Sequence, residues 1–463
     1  MTIWQPDLSH SQGPRYQALA DAIALAIDDG QLAAGQKLPP QRDLAYRLGV
    51  TVGTISRAYT LAEQRGLVRG EVGRGTFVRS EAMADGIQNA IVDGGDDLIK
   101  LTVNSQPDTG AQNLLAESLH RLASSQSSIG ELLAYTPRVG LDLHRKAAAD
   151  WASRIGWSFA PERTLITGGA HQAVMTALAG LARPGDAILC EQLLYSGFKQ
   201  IAAAFGLRLH GLTLDEEGIC PDSLEAACRA GEAKIVLINP TFHNPTTVTM
   251  SEARRQAIVR LAEHYDLLLI EDDVYGHLPT ERPPPLAALA PSRTVFITAA
   301  SKMVAPGLRF GVLSAPDHLF DRLADVQSSL FLTCPSIMAA LFTQWLRDGT
   351  ADHLVQRQRQ EALDRQAIAA KQLKGVSYWA GELSYHLWLP LPAPWRSSTF
   401  ADAALARGVA IDPAFIFAVG PEAERHAVRI SLSAAKNQDR LAKALSIISE
   451  TLTSGPISRR DSI

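Results

Sequence analysis

The sequence predicts an α/β body built on a mostly parallel sheet covered on both faces, preceded by a small helical head that ends in a two-stranded hairpin. Three observations predict it. Short, continuously apolar runs recur between helical patterns: 164–167, 187–190, 235–238, 267–270, 294–297 and 311–314. Runs of that kind are strands buried on both faces. At 463 residues the chain is longer than one core ordinarily organises. Its charge is also divided: from His10 to Arg79 nine Lys/Arg stand against six Asp/Glu, about +3, while the whole chain carries −4. A basic head on an acidic body suits a polyanionic partner for the head.

Composition is otherwise ordinary, with 46% hydrophobic and 20% charged residues, which argues against a disordered or membrane-spanning chain. Met1 to Asp7 has neither a basic n-region nor an apolar h-region, so a cytoplasmic location is expected. Cys190, Cys220, Cys228 and Cys334 lie far apart without ligand spacing, and neither a metal site nor a disulfide framework is expected.

In the head, Leu19, Ile23 and Ile27 repeat at helical spacing up to Gly30. A second helix starts around Pro39-Pro40 and runs through Leu44 and Leu48 to the breaker Gly49. A third buries Ile55, Tyr59 and Ala62 and ends at Gly66. Leu67–Arg69 and Gly75–Val78 then read as strands joined by a glycine-rich turn. This succession is a winged helix-turn-helix, whose third helix suits the major groove of double-stranded DNA. Thr51, Gly53, Thr54, Ser56 and Arg57 stand at the start of that helix, with Arg42 on the second helix and Arg74 on the wing placed for phosphates. The alternative for such a module is a protein-docking unit. The segments Leu38 to Val50, Arg57-Ala-Tyr59, Arg65 to Val68 and Gly73 to Val78 resemble the DNA-binding domain of the GntR family, although Val52 stands where that family often has arginine.

The expected domain plan is a head at 10–80, a linker at 81–100, and a body at 101–455 with its large sheet part at about 130–320 and a smaller part at about 321–455. Ligands of parallel sheets bind at the carboxyl ends of the strands, and the candidate residues follow those ends. Gly168-Gly169-Ala170-His171 opens a helix after a strand and can offer backbone N–H groups to an anion. Asn244 follows the 235–238 strand. Strand alternation throws Asp272 to the face opposite Glu271 and Asp273, with Tyr275 just beyond. Ser301-Lys302 follows the 294–297 strand, before Arg309, and a lysine at a strand end can serve as a Schiff-base nucleophile. Arg429 lies on a late strand, placed to take a carboxylate bidentately. Read singly, each has a plain alternative: a turn lysine, a packing turn, an Asx turn, an acidic N-cap, a strand arginine.

Taken in order and spacing, these residues resemble the class I aminotransferases of fold type I over roughly residues 100 to 450. The resemblance implies pyridoxal 5'-phosphate on Lys302, Asp272 paired with the pyridine nitrogen, and Tyr275 and Asn244 on the ring oxygen. It implies Tyr195 stacked on the ring, with the backbone of Gly169, Ala170 and His171 joining Ser301 and Arg309 on the phosphate. Arg429 would bind a ligand carboxylate, and Tyr135 would reach the partner's cofactor in a homodimer. Ala299 stands where the family often has a phosphate-binding serine. Head and body together resemble the MocR subfamily of regulators. The implied function is an operator-binding protein that senses an amine or amino acid by aldimine exchange at Lys302. A working aminotransferase and a sensor of the cofactor itself are the alternatives.

Overall fold

The computed structural model describes residues 4, 6, 14–28, 31–32, 36–64, 67–71, 75–78, 98–107, 109–124, 126–158, 160–231, 233–333, 335–420 and 426–455. Arg74, nearly all of the expected linker, Cys334 and residues 456–463 lie outside them.

Three helices, α1 (Arg15–Asp28), α2 (Gln41–Leu48) and α3 (Val52–Gln64), precede a hairpin of β1 (Val68–Glu71) and β2 (Gly75–Val78). Leu19, Ile23, Leu44, Ile55, Tyr59 and Val68 close a single small core between them. Gly49 ends α2 at φ +61°, a left-handed turn that glycine adopts without steric cost. Thr51 starts α3: its hydroxyl accepts the Thr54 N–H at 3.2 Å, satisfying one of the donors a helix start leaves open. The Tyr59 hydroxyl donates to the Pro39 carbonyl at 2.8 Å and ties α3 to the segment before α2. The head is therefore the winged helix-turn-helix expected.

The body sheet has seven strands: β3 (Thr164–Thr167), β4 (Ala187–Glu191), β5 (Arg208–Leu212), β6 (Ile235–Ile238), β7 (Leu268–Asp272), β8 (Thr294–Ala299) and β9 (Gly311–Ser314). Their order is β3-β9-β8-β7-β6-β4-β5. The strands β4 to β8 pair in parallel, and only β9 runs antiparallel to its neighbours. Alternation assigns the two faces. Ile188, Cys190, Ile235, Leu237 and Ile270 pack with Val174 and Leu178 of helix α4 (Ala170–Leu181). Leu189, Val236, Ile238 and Leu269 pack with Leu224 and Ile258 on the other side. Each such side chain contributes about 1.5–3 kcal/mol on full burial, which is why these strands read as unbroken apolar runs.

Strand ends shift from the apolar runs. β7 runs to Asp272 because that residue still pairs with Ile297 of β8. Further on, Gly381–Ser384 turns back, with the Ser384 N–H donating to the Gly381 carbonyl at 3.0 Å, before a late strand begins at His386. β5 went unread because it is an edge strand, partly solvated, and its Arg-Leu-His-Gly-Leu lacks an apolar run.

After β9 the chain builds a three-stranded antiparallel sheet of β10 (His386–Pro390), β11 (Asp412–Pro413) and β12 (Ala427–Ser431). Helices α5 (Thr350–Gln372) and α6 (Gln438–Ser454) back it through Ala369, Leu441 and Leu445. The β11–β12 register sets Asp412 directly opposite Arg429.

Candidate functional site

A cavity of about 320 Å³ opens where the carboxyl ends of β6, β7 and β8 meet the late antiparallel sheet. Ala170, His171, Tyr195, Asn244, Asp272, Tyr275, Ser301, Lys302, Arg309 and Arg429 all line it. Ten expected residues, spread over 260 positions of chain, are thus brought to one place.

Lys302 stands just past the end of β8, its ammonium donating to the carbonyl of Asn104. Its own carbonyl accepts the buried hydroxyl of Tyr385 at 2.7 Å, which fixes the loop. Burial, then the cations Arg429 and Arg309, bring the Lys302 amine down to about 8, against the opposing pull of Asp272. A lysine of that value is partly neutral near pH 7, the form in which it is a nucleophile.

Asp272 ends β7, and one of its carboxylate oxygens is buried without any hydrogen-bond partner. Burial, and the neighbouring carboxylates of Asp273 and Glu191, push it up to about 8. Glu271, one residue earlier, points away and accepts the N–H groups of Leu286 and Ala287 at 2.9 Å each. A buried carboxylate with one oxygen unpartnered at a cavity wall fits a cationic ring N–H. Asn239 holds the strand ends in place, its amide donating to the Asp272 carbonyl at 2.6 Å and its N–H to Glu191 at 2.7 Å.

The Tyr275 hydroxyl accepts from Asn104 Nδ2 at 3.1 Å, which leaves its own proton to donate. Tyr195 stands at the start of a helix with its ring edge-on to Phe198, 40% exposed toward the cavity. Gly169 precedes α4 at φ +103°, and a Cβ there would come within 2.7 Å of the Arg309 guanidinium. The glycine therefore lets that guanidinium lie against the helix start. Arg309 itself takes a left-handed backbone at φ +44°, a strained conformation for a residue with a side chain. The Ser301 hydroxyl is buried without a partner. A helix start, a guanidinium and an unpartnered hydroxyl together fit a phosphate.

Asn244 Oδ1 accepts from Arg429 Nη1 at 2.8 Å. Arg429 Nη2 donates to the Thr102 carbonyl and to Asp412. Tyr135 is not in the cavity of its own chain: it is 84% exposed. On the head, Arg42, Thr51, Gly53 and Arg57 are exposed while Thr54 and Ser56 are half-buried, and Ser56 and Arg57 edge a shallow groove against Tyr16 and Gln17 of α1.

Sequence reasoning missed Thr102, Asn104, Asn239, Tyr385, Asp412 and Phe417. Asn239, directly after the 235–238 run, carried a signal at the strand end. Asn104 and Asp412 carried none, because partners 171 and 17 residues distant meet only through the late sheet. Among the described residues, Cys190, Cys220 and Cys228 are free thiols. No helix of the described residues is long and apolar enough to cross a membrane.

The family model "Aminotransferase class I and II" matches residues 96–448, and "Bacterial regulatory proteins, gntR family" matches residues 15–78. The uncharacterized HTH-type transcriptional regulator YdeF of Bacillus subtilis is 30% identical over 97% of this chain and 96% of its own length. The vitamin B6 salvage pathway transcriptional repressor PtsJ of Salmonella typhimurium is 26% identical over 91% of this chain and 95% of its own. Among solved structures, Pyrococcus horikoshii kynurenine aminotransferase superposes with a TM-score of 0.74 at 21% identity, covering 82% of this chain and 96% of that one. That likeness speaks for the fold.

Proposed function

We propose, from a chain that belongs to the class I and II aminotransferase family and carries a gntR-family head, that this protein is a pyridoxal-phosphate-dependent, DNA-binding transcriptional regulator of the MocR type. Relatives matched across both parts are named transcriptional regulators. The observation that carries the reading is the coexistence, in one chain, of a winged helix-turn-helix head with a lysine of lowered basicity in a cavity that also holds a buried carboxylate with one oxygen unpartnered.

Pyridoxal 5'-phosphate, when bound, supplies an aldehyde carbon and a ring that accepts electrons. Lys302 would hold it through its amine. Asp272 would keep a proton on the ring nitrogen. Tyr275 and Asn244 would hold the ring oxygen, and Tyr195 would cover the ring. The backbone at Gly169, Ala170 and His171, with Ser301 and Arg309, would hold the phosphate. The exposed Tyr135 supports a homodimer in which it reaches the partner's site. A boundary near residue 80, a body from about 101 with its parts meeting near 320, and a cytoplasmic location complete the reading.

In the head, Thr51, Gly53, Thr54, Ser56 and Arg57 face base edges and backbone, while Arg42 and Arg74 anchor phosphates. Ligand chemistry at Lys302 changes the populations of head arrangements that grip an operator, and a tenfold change in grip needs about 1.4 kcal/mol of coupling. The test is fluorescence anisotropy of the region upstream of the chain's own gene, with cofactor and amines added in turn, beside an assay for keto acid production. Amine-dependent DNA binding without steady turnover supports the regulator. Steady turnover with DNA binding indifferent to the amine supports an aminotransferase.

A further inference from the structure

Arg429 and Asp412 face each other across paired strands inside the cavity, their side chains only 6% and 13% exposed. The Nη2 end of the guanidinium is already committed. Both hydrogens of Nη2 are spent, on the Thr102 carbonyl and on Asp412 Oδ2. Nη1 donates to Asn244 Oδ1 at 2.8 Å, the Nε–H is buried without an acceptor, and the ring of Phe417 lies 4.8 Å from the guanidinium carbon. A carboxylate grips guanidinium in a fork along one of two edges, side-on through Nε and Nη2 or end-on through Nη1 and Nη2. Each fork needs an Nη2 hydrogen, and neither is left.

Charge points the same way. Asp412 cancels Arg429, so a ligand carboxylate arriving here would meet a neutral ion pair and lie beside a like charge in a buried site, where repulsion is weakly screened. To bind as a fork it would have to displace Asp412 and strand that carboxylate, a costly exchange. The strand register fixes Asp412 opposite Arg429, and the following Pro413 stiffens the backbone there.

We propose that Asp412 is the specificity-determining residue of this cavity and that it reserves the site for primary amines lacking an α-carboxylate, excluding α-amino acids. The proposal rests on the reading that pyridoxal phosphate occupies the cavity on Lys302. A ligand ammonium meets no repulsion from the pair, and a diamine gains a second contact when its far ammonium reaches the Asp412 carboxylate.

The test uses the full-length, cofactor-loaded protein and the visible absorbance band of the cofactor. Matched pairs that differ only in the carboxylate are titrated: 3-methylbutan-1-amine against L-leucine, and 1,5-diaminopentane against L-lysine. The native protein should bind each amine at least tenfold tighter than its amino acid. Asp412→Asn, which keeps the shape and removes the charge, should shift that ratio at least tenfold toward the amino acid, and Asp412→Ala should do the same if the asparagine variant does not fold. Tighter binding of the amino acids by the native protein overturns the proposal. So does an unchanged ratio in a folded Asp412 variant. A chain that acquires no cofactor band at all refutes the underlying cofactor reading and this proposal with it. A band that forms normally but prefers amino acids refutes this proposal alone.

Discussion

Replacing Asp272 with asparagine should stabilise the cofactor-free protein while weakening its hold on the cofactor. In the folded chain this carboxylate is buried beside Asp273 and Glu191 and is pushed up to about 8. Unfolded, it titrates near 3.9. Between about pH 4 and pH 8 the folded state therefore keeps a proton that the unfolded state has lost. Stability from this group is fully present below pH 4, falls across that window and is flat above pH 8. The gap corresponds to an upper bound of about 5–6 kcal/mol, and relaxation around a buried charge reduces it to about 2–3 kcal/mol. Asparagine keeps the shape and carries no charge, so thermal unfolding of apo Asp272→Asn should be raised by about 3–6 °C at pH 8 and should match the native protein near pH 4. With pyridoxal phosphate present the order should reverse, because the cationic ring N–H loses its carboxylate. Calorimetry of both proteins at pH 4.5, 6 and 8, with and without cofactor, reads the apo difference, its pH dependence and the reversal. An apo variant no more stable than the native chain at pH 8 would refute the burial argument, and undiminished cofactor affinity would refute the assignment of Asp272 to the ring.

Lys302→Ala should abolish the borohydride-trapped cofactor peptide while leaving the fold intact by circular dichroism; trapping at another lysine would displace Lys302 from its role. In the native apo protein, with Lys302 at about 8, the neutral amine should increase about tenfold per pH unit up to pH 8 and level above it, so stopped-flow attachment of the cofactor should follow that curve; a rate flat from pH 6 to pH 9 would contradict it. Gly169→Ala places a methyl 2.7 Å from Arg309 at φ +103° and should cost about 1–3 kcal/mol of strain, read as faster loss of cofactor on dialysis. Arg57→Ala should weaken DNA binding at all sequences and reduce the salt slope by about 1 if it contacts a phosphate; an unchanged slope with lost discrimination would assign it to a base instead.

Much of this was legible in the sequence because local chemistry carried it. Gly49, Gly66 and the period of Leu19 and Ile23 set out the head, and the unbroken apolar runs marked strands covered on both sides. Strand parity set Asp272 apart from its neighbours Glu271 and Asp273, and the family resemblance assigned it to the site. The order of Asn244, Asp272, Lys302 and Arg309 followed from where strands end. What stayed hidden depends on encounters between remote segments. Asn104 meets Tyr275 and His386 because Ile99–Lys100, just before it, pairs with Val409–Ala410. Asp412 reads as a turn former before proline, and nothing local says that a buried arginine waits across the next strand. β5 escaped because an edge strand exposed to solvent need not be apolar.

The most direct test of the central idea is the affinity of the full-length protein for its upstream DNA, measured at fixed salt in three states: apo, loaded with pyridoxal phosphate, and loaded with a primary amine added. The affinity should change at least tenfold between the loaded state and the amine-treated state, and Lys302→Ala should show no response to the amine. Equal affinity in all three states, with the cofactor band present and responding to the amine, would contradict it.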